Sequence, residues 1–199
     1  GIVFFFAYNW AELHKFVKLG MIETLLVATT IMIILPGINE TARNAILTGL
    51  SVLAGVLFAV FGQIYHTGAN AFDFFMVWVI FISLWVWISN FAPLWLLYVA
   101  LINTTIILYS QQVANDWSNI LVCTILLLIN LAVLTPTIIA GRKRVAIWFS
   151  NTIALAVVTY ATSGLIIGIF DRHQSYFTLL IVLSAVIYTL GIWHGLKSR

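Results

Sequence analysis

Charge is what this chain lacks most. Only 8% of its 199 residues are Asp, Glu, Lys or Arg, and 63% are hydrophobic; a soluble domain carries roughly 25% charged residues. A water-soluble fold of this composition would have no polar surface to present, so its main partner and solvent is the lipid bilayer. With a single cysteine, Cys123, no intrachain disulfide can form. Inside its apolar run that thiol reads as a small buried hydrophobe. Basic runs interleaved with aromatics are missing, which excludes nucleic acid as a partner. The three adjacent cations Arg142, Lys143 and Arg144 read as a topology signal instead. No H-x-x-x-H, H-E-x-x-H, G-x-S-x-G, P-loop or dinucleotide fingerprint occurs, so the sequence points to no metal and no cofactor. Prolines number three, Pro36, Pro93 and Pro136. All fall at the ends of apolar runs, so the broken mid-membrane helix of many carriers is not expected.

What is present is hydrocarbon in long uninterrupted runs. They do not alternate, which selects helices over a barrel. Seven full spans are expected near Leu19–Leu35, Ala45–Tyr65, Phe72–Ser89, Pro93–Tyr109, Asn119–Leu134, Val145–Phe170 and Tyr176–Leu196. Turn chemistry marks the breaks at Pro36-Gly37, Ser89-Asn90, Asn115-Asp116 and Thr135-Pro136. Gly1–Tyr8 is apolar but far short of the roughly 20 residues that cross a bilayer. With no initiator Met and no charged leader region it reads as the end of a truncated helix, not as a signal peptide. The expected fold is therefore an all-α polytopic transmembrane bundle over residues 1–199, with short connections joining antiparallel neighbours.

Loop charges set the orientation. The loops around 9–18, 66–71, 110–118 and 171–175, here side A, hold Lys15, Lys18 and Arg172. The opposite side B holds Arg43, Arg142, Lys143, Arg144, Lys197 and Arg199. Six cations against three place side B, and with it the C-terminus, on the cytoplasmic side of the membrane. Trp85, Trp87, Trp95, Trp148 and Trp193 fall near side B, and Trp10 and Trp117 near side A, as two interfacial belts would.

Polar groups gather on side A. His14, His66 and His173, three of the four histidines, lie there with Glu12, Asp73, Asp116 and Asp171, four of the six acids. The densest stretch is Gly62-Gln63-Ile64-Tyr65-His66-Thr67-Gly68, followed by Asp73. Side chains this polar at a membrane edge need partners or water. The candidate binding residues are Asn9, Trp10, Glu12, His14, Gln63, Tyr65, His66, Thr67 and Asp73, with Gln63, Tyr65 and His66 converging on Asn9, Trp10 and Glu12. Interface anchoring by Trp10 and Tyr65, with His66 closing a loop, accounts for the same residues without a site. A faint repeat pairs Asn9-Trp10 with Asp116-Trp117, and the Gly62–His66 stretch with Gly168–His173. Two tandem four-helix units, 1–110 and 111–199, would produce it.

Within the spans, Ser51, Gly55 and Ala59 recur every four residues toward Gln63, a face suited to close helix packing. Gly164-xxx-Gly168 and Gly191-xxx-Gly195 offer the same. Asn103, Asn130 and Asn151 lie near mid-span and are expected to hydrogen-bond across to other helices. Glu23, a turn inside its helix, can snorkel toward side A. Trp78, Phe81 and Trp85 form an aromatic stripe that reads as core or lipid packing.

Gly1-Ile2-Val3-Phe4-Phe5-Phe6-Ala7-Tyr8-Asn9-Trp10, then Gly62-Gln63-Ile64-Tyr65-His66-Thr67-Gly68, then an apolar helix with Trp78 carry a likeness to a known family. Over residues 1–110 the chain resembles the bacterial integral membrane family called domain of unknown function twenty-one fifty-seven. In that family a glycine-bearing first helix ends in Asn-Trp and a later one in a Gly-x-x-Tyr-x-Thr-Gly-like segment. The resemblance implies a multi-helix inner-membrane protein whose natural chain extends further N-terminally, and it carries over no activity. Three functions stay open on the residues: a binding or transport-type protein with a small-molecule ligand in a side-A pocket, a membrane-embedded enzyme acting on a lipid-linked or periplasmic substrate, and a structural subunit that pairs with another membrane protein or with a second copy of itself.

Overall fold

A computed structural model of the chain describes residues 12–34, 36–65, 68, 70–140, 145–170 and 176–197. Those residues form seven helices: α1 (Lys15–Ile34), α2 (Glu40–Tyr65), α3 (Ala71–Ser89), α4 (Ala92–Gln112), α5 (Asn119–Ala140), α6 (Ile147–Phe170) and α7 (Phe177–Lys197). The first six are long and apolar enough to cross a bilayer, and α7 is apolar over Phe177–Thr189. The expected all-α membrane fold is thus the observed one, with helix ends mostly within a few residues of the expected spans. The apolar Gly1–Tyr8 segment lies outside the described residues.

Turn chemistry fixes the ends. Gly37, at φ +97°, supplies the left-handed backbone between α1 and α2. Asn39 then caps α2, its Oδ1 accepting the Ala42 N–H at 2.7 Å. Asn90 closes α3 in the left-handed region at φ 44°, ψ 36°, a conformation that Asn tolerates better than most residues. Ser118 Oγ accepts the Leu121 N–H at 3.2 Å and starts α5.

One break is misplaced by the sequence. α5 does not stop at Thr135-Pro136 but runs through Pro136 to Ala140. Proline removes one N–H from the ladder, yet Ile138 and Ile139 beyond it are apolar and exposed. In lipid their own peptide groups have only a helix in which to be satisfied.

The chain divides into two compact units, Gly1–Thr105 and Ile106–Arg199, so that α4 begins in the first and ends in the second. In the first, α2 packs on α1 and α3. The buried face of α2 includes Leu50, Ser51, Ala54 and Gly55. Trp78 of α3 lies across it: a Cβ at residue 55 would run into the indole, and the indole N–H donates to the Ser51 carbonyl at 2.8 Å. The small face does not continue as far as the sequence suggests, because Ala59 and Gln63 are exposed. Steps of four residues advance about 400° on a 100°-per-residue helix, so an i+4 row drifts round the axis. The aromatic stripe also divides. Phe81 stands outward, edge-on to Phe58 and Trp85, with centroids 5.6 Å and 5.2 Å away. Trp85 packs on the cluster of Ile82, Val86, Leu94 and Leu101 that joins α3 to α4.

In the second unit α6 is the centre, packed against α5 and α7. Its buried row, Phe149, Ile153, Val157, Ala161, Gly164 and Gly168, falls in size along the helix. The space released is taken by α7. A Cβ on Gly164 would sit 2.6 Å from Leu180 Cδ2 and 3.0 Å from Cys123 Cβ of α5, and one on Gly168 would strike the Phe177 ring. Thr162 and Tyr188 share a hydroxyl–hydroxyl bond of 2.7 Å between α6 and α7. The three asparagines expected near mid-span differ from one another. Asn130 is fully buried and donates to the Leu126 carbonyl of its own helix at 2.8 Å. Asn103 is buried, whereas Asn151 is exposed and lies only about one turn inside α6, not at mid-span, outside the packed row that Phe149 and Ile153 occupy.

Two variants test this packing. Gly55→Leu should cost about 1–3 kcal/mol, the usual range for an overpacked contact, while Val56→Leu, at a position 42% exposed, should leave detergent unfolding unchanged. Equal stability of the two would place the 55 face against lipid. Ser184 is buried with no hydrogen-bond partner for its hydroxyl among the described residues. Ser184→Ala should therefore hold or raise the thermal midpoint; a drop would reveal a bond that the hydroxyl makes.

Candidate functional site

The sequence-derived site divides at the boundary of what is described. Asn9, Trp10, His66 and Thr67 lie outside the described residues, as do Asp171 and His173. Glu12, His14, Gln63, Tyr65 and Asp73 lie inside it, all near one end of the first unit. Two of them, His14 and Tyr65, come together around a residue that the sequence shows only as a loop charge.

That residue is Lys15, the first of α1. Because the connection Pro36–Asn39 is short, α1 and α2 run antiparallel, and the start of one meets the end of the other. The Lys15 ammonium stands 5.4 Å from the centroid of the Phe16 ring and 5.9 Å from that of Tyr65, the last residue of α2. A cation over a ring face within about 6 Å is attracted by the ring quadrupole, by ~0.5–1 kcal/mol at an exposed site. Phe61, one turn before Tyr65, lies ring to ring with it at 4.5 Å. His14 lies beside Phe16 with centroids 5.3 Å apart, and its carbonyl accepts the Val17 and Lys18 N–H groups at 2.9 Å and 3.2 Å. The result is a cation held among aromatic faces, with an imidazole at its edge. Phe16, Phe61 and Tyr65 are all exposed.

The other candidates take different positions. Glu12, in the turn before α1, and Gln63, on α2, are both exposed. Asp73 serves the fold, since its Oδ2 accepts the Asn70 N–H at 2.9 Å and closes the first turn of α3. Glu23 is exposed on α1, a helix in which only Ile22 is buried. Among the described residues, no three His, Cys, Asp or Glu side chains gather to hold a metal ion. Lys15, Phe16 and Phe61 are the residues that sequence reasoning missed. Their signal was the short α1–α2 connection, which makes residues near 15 and 65 neighbours.

Residues 1–95 match a family model described as Predicted membrane protein (DUF2157). The match contains both the Asn9-Trp10 and the Gly62–Gly68 motifs and Trp78, and it ends early in α4. No curated protein and no solved structure matches the chain.

A double-mutant cycle measures the contact that joins the two helix ends. Lys15→Gln and Tyr65→Leu, singly and together, should show a coupling of about 0.5–1 kcal/mol in detergent unfolding. Strict additivity would mean that Lys15 and Tyr65 do not interact.

Proposed function

We propose that this helical membrane protein is a binding protein of the bacterial inner membrane, and that it meets its ligand at the end of the first unit where α1 starts and α2 finishes. The observation that carries the reading is Lys15 between Phe16 and Tyr65. It joins two segments, 12–15 and 61–65, that each bring polar or aromatic side chains to the same edge of the membrane. An imidazole at His14, an ammonium at Lys15 and a phenol at Tyr65 offer donors and acceptors of several kinds in this cluster, and the exposed Glu12 carboxylate and Gln63 amide lie on the same end of the unit. Their place at a helix end, rather than at mid-span, suits binding better than carriage across the membrane. The cation excess in the loops around Arg43, Arg142–Arg144 and Lys197–Arg199 supports a cytoplasmic position for the opposite end, so the ligand would arrive from outside the cytoplasm.

In a Cys123→Ala background, cysteines at Glu12 and at Gln63 should both react with a membrane-impermeant maleimide in intact cells, and a reporter fused after Arg199 should behave as cytoplasmic. Labelling of both sites only after lysis would reverse the orientation. Labelling of one site without the other would separate the two segments and end the shared-site reading.

A further inference from the structure

We infer that the Lys15 cluster binds the phosphate of an anionic glycerophospholipid, so that a lipid headgroup is the ligand of this helix end. The inference rests on the reading of this end as a binding site, though not on which leaflet it meets. Lys15 is exposed, and among the described residues no carboxylate forms an ion pair with it. Among the described residues its charge is oriented but not neutralised: the Phe16 and Tyr65 rings flank it and accept no full hydrogen bond. An ammonium carries three donors, and a phosphodiester supplies both the missing charge and strong acceptor oxygens. The surroundings fit a lipid better than a soluble anion. Phe16, Phe61 and Tyr65 present exposed ring surface beside the cation, and aromatic rings at a span end settle at headgroup depth. Acyl chains and glycerol backbone would lie along those rings while the phosphate meets the ammonium. A soluble anion would leave the rings bare. The His14 imidazole, next to Phe16, adds a donor at the edge of the same patch.

The test uses the full chain reconstituted in bilayers and measures its selectivity for spin-labelled phosphatidylglycerol over spin-labelled phosphatidylcholine. Wild type should prefer the anionic lipid. Lys15→Gln should weaken that preference roughly fivefold at the site, as expected for the loss of one cation near an anionic surface. Lys15→Arg should retain it, and Tyr65→Leu should lower it. The cations of the opposite end are unchanged in all these variants, so the difference isolates Lys15. A photoactivatable phosphatidylglycerol should crosslink to residues 12–18 and 61–65 of the unaltered protein, which keeps the test independent of how any variant folds. Unchanged selectivity in Lys15→Gln, or crosslinks confined to other segments, would overturn the inference. Thermal stabilisation by soluble glycerol phosphate, without lipid selectivity, would overturn the lipid source while leaving a binding site at this end. Labelling that reverses the orientation would leave the lipid inference standing.

Discussion

Hydrocarbon offers a peptide group nothing to bond to, and the whole structure follows from that constraint. It accounts for the uniform choice of helix and for the continuation of α5 past Pro136. It also accounts for the behaviour of the hydroxyls. Thr24, Thr48, Ser51, Thr124 and Thr159 each donate to the carbonyl four residues earlier in their own helix. A hydroxyl facing lipid or a packed neighbour thus satisfies itself locally and leaves the helix surface effectively apolar. Glu12, His14, Lys15 and Gln63, which make no such bond among the described residues, lie instead at one edge of the first unit.

With the backbone settled inside each helix, contact between helices depends on shape. Lipid chains are as apolar as leucine, so burial from water does not drive helices together within the bilayer; close packing and the occasional hydrogen bond do. Both units use the same solution. A glycine on one helix receives a large side chain from the next: Gly55 takes Trp78, Gly164 takes Leu180, and Gly168 takes Phe177. The Trp78–Ser51 bond adds direction to the first of these contacts.

How much of this the sequence discloses depends on the length scale of the signal. Spans are legible because a run of some twenty apolar residues has only one fate in a bilayer. Breaks such as Pro36-Gly37 and Ser89-Asn90 are legible because turn residues act locally. The partner of Gly55 is not legible, since any of several aromatics could fill the space and only the rotation of α3 selects Trp78. Ala59 and Gln63 are misread because a row of small residues looks straight in sequence and winds in space. Asn151 is misread because α6 starts at Ile147, which leaves this asparagine about one turn inside the helix and exposed, not at mid-span. The candidate site is legible in part. Tyr65 stands out by its chemistry, Asp73 proves to cap its own helix, and Lys15 looks in sequence like a charge that merely marks topology.

The bond from the Trp78 indole to the Ser51 carbonyl fixes more than one contact. It pins the azimuth of α3, and with it the bearing of every other side chain on that helix. Trp87 is nine residues further on, about two and a half turns, and so points the opposite way; it is 76% exposed. One helix therefore carries two indoles in opposed settings, one hydrogen-bonded against a neighbouring backbone and one turned outward. Any rolling of α3 about its own axis would exchange those settings, so the pair acts as an internal compass for the rotation of that helix.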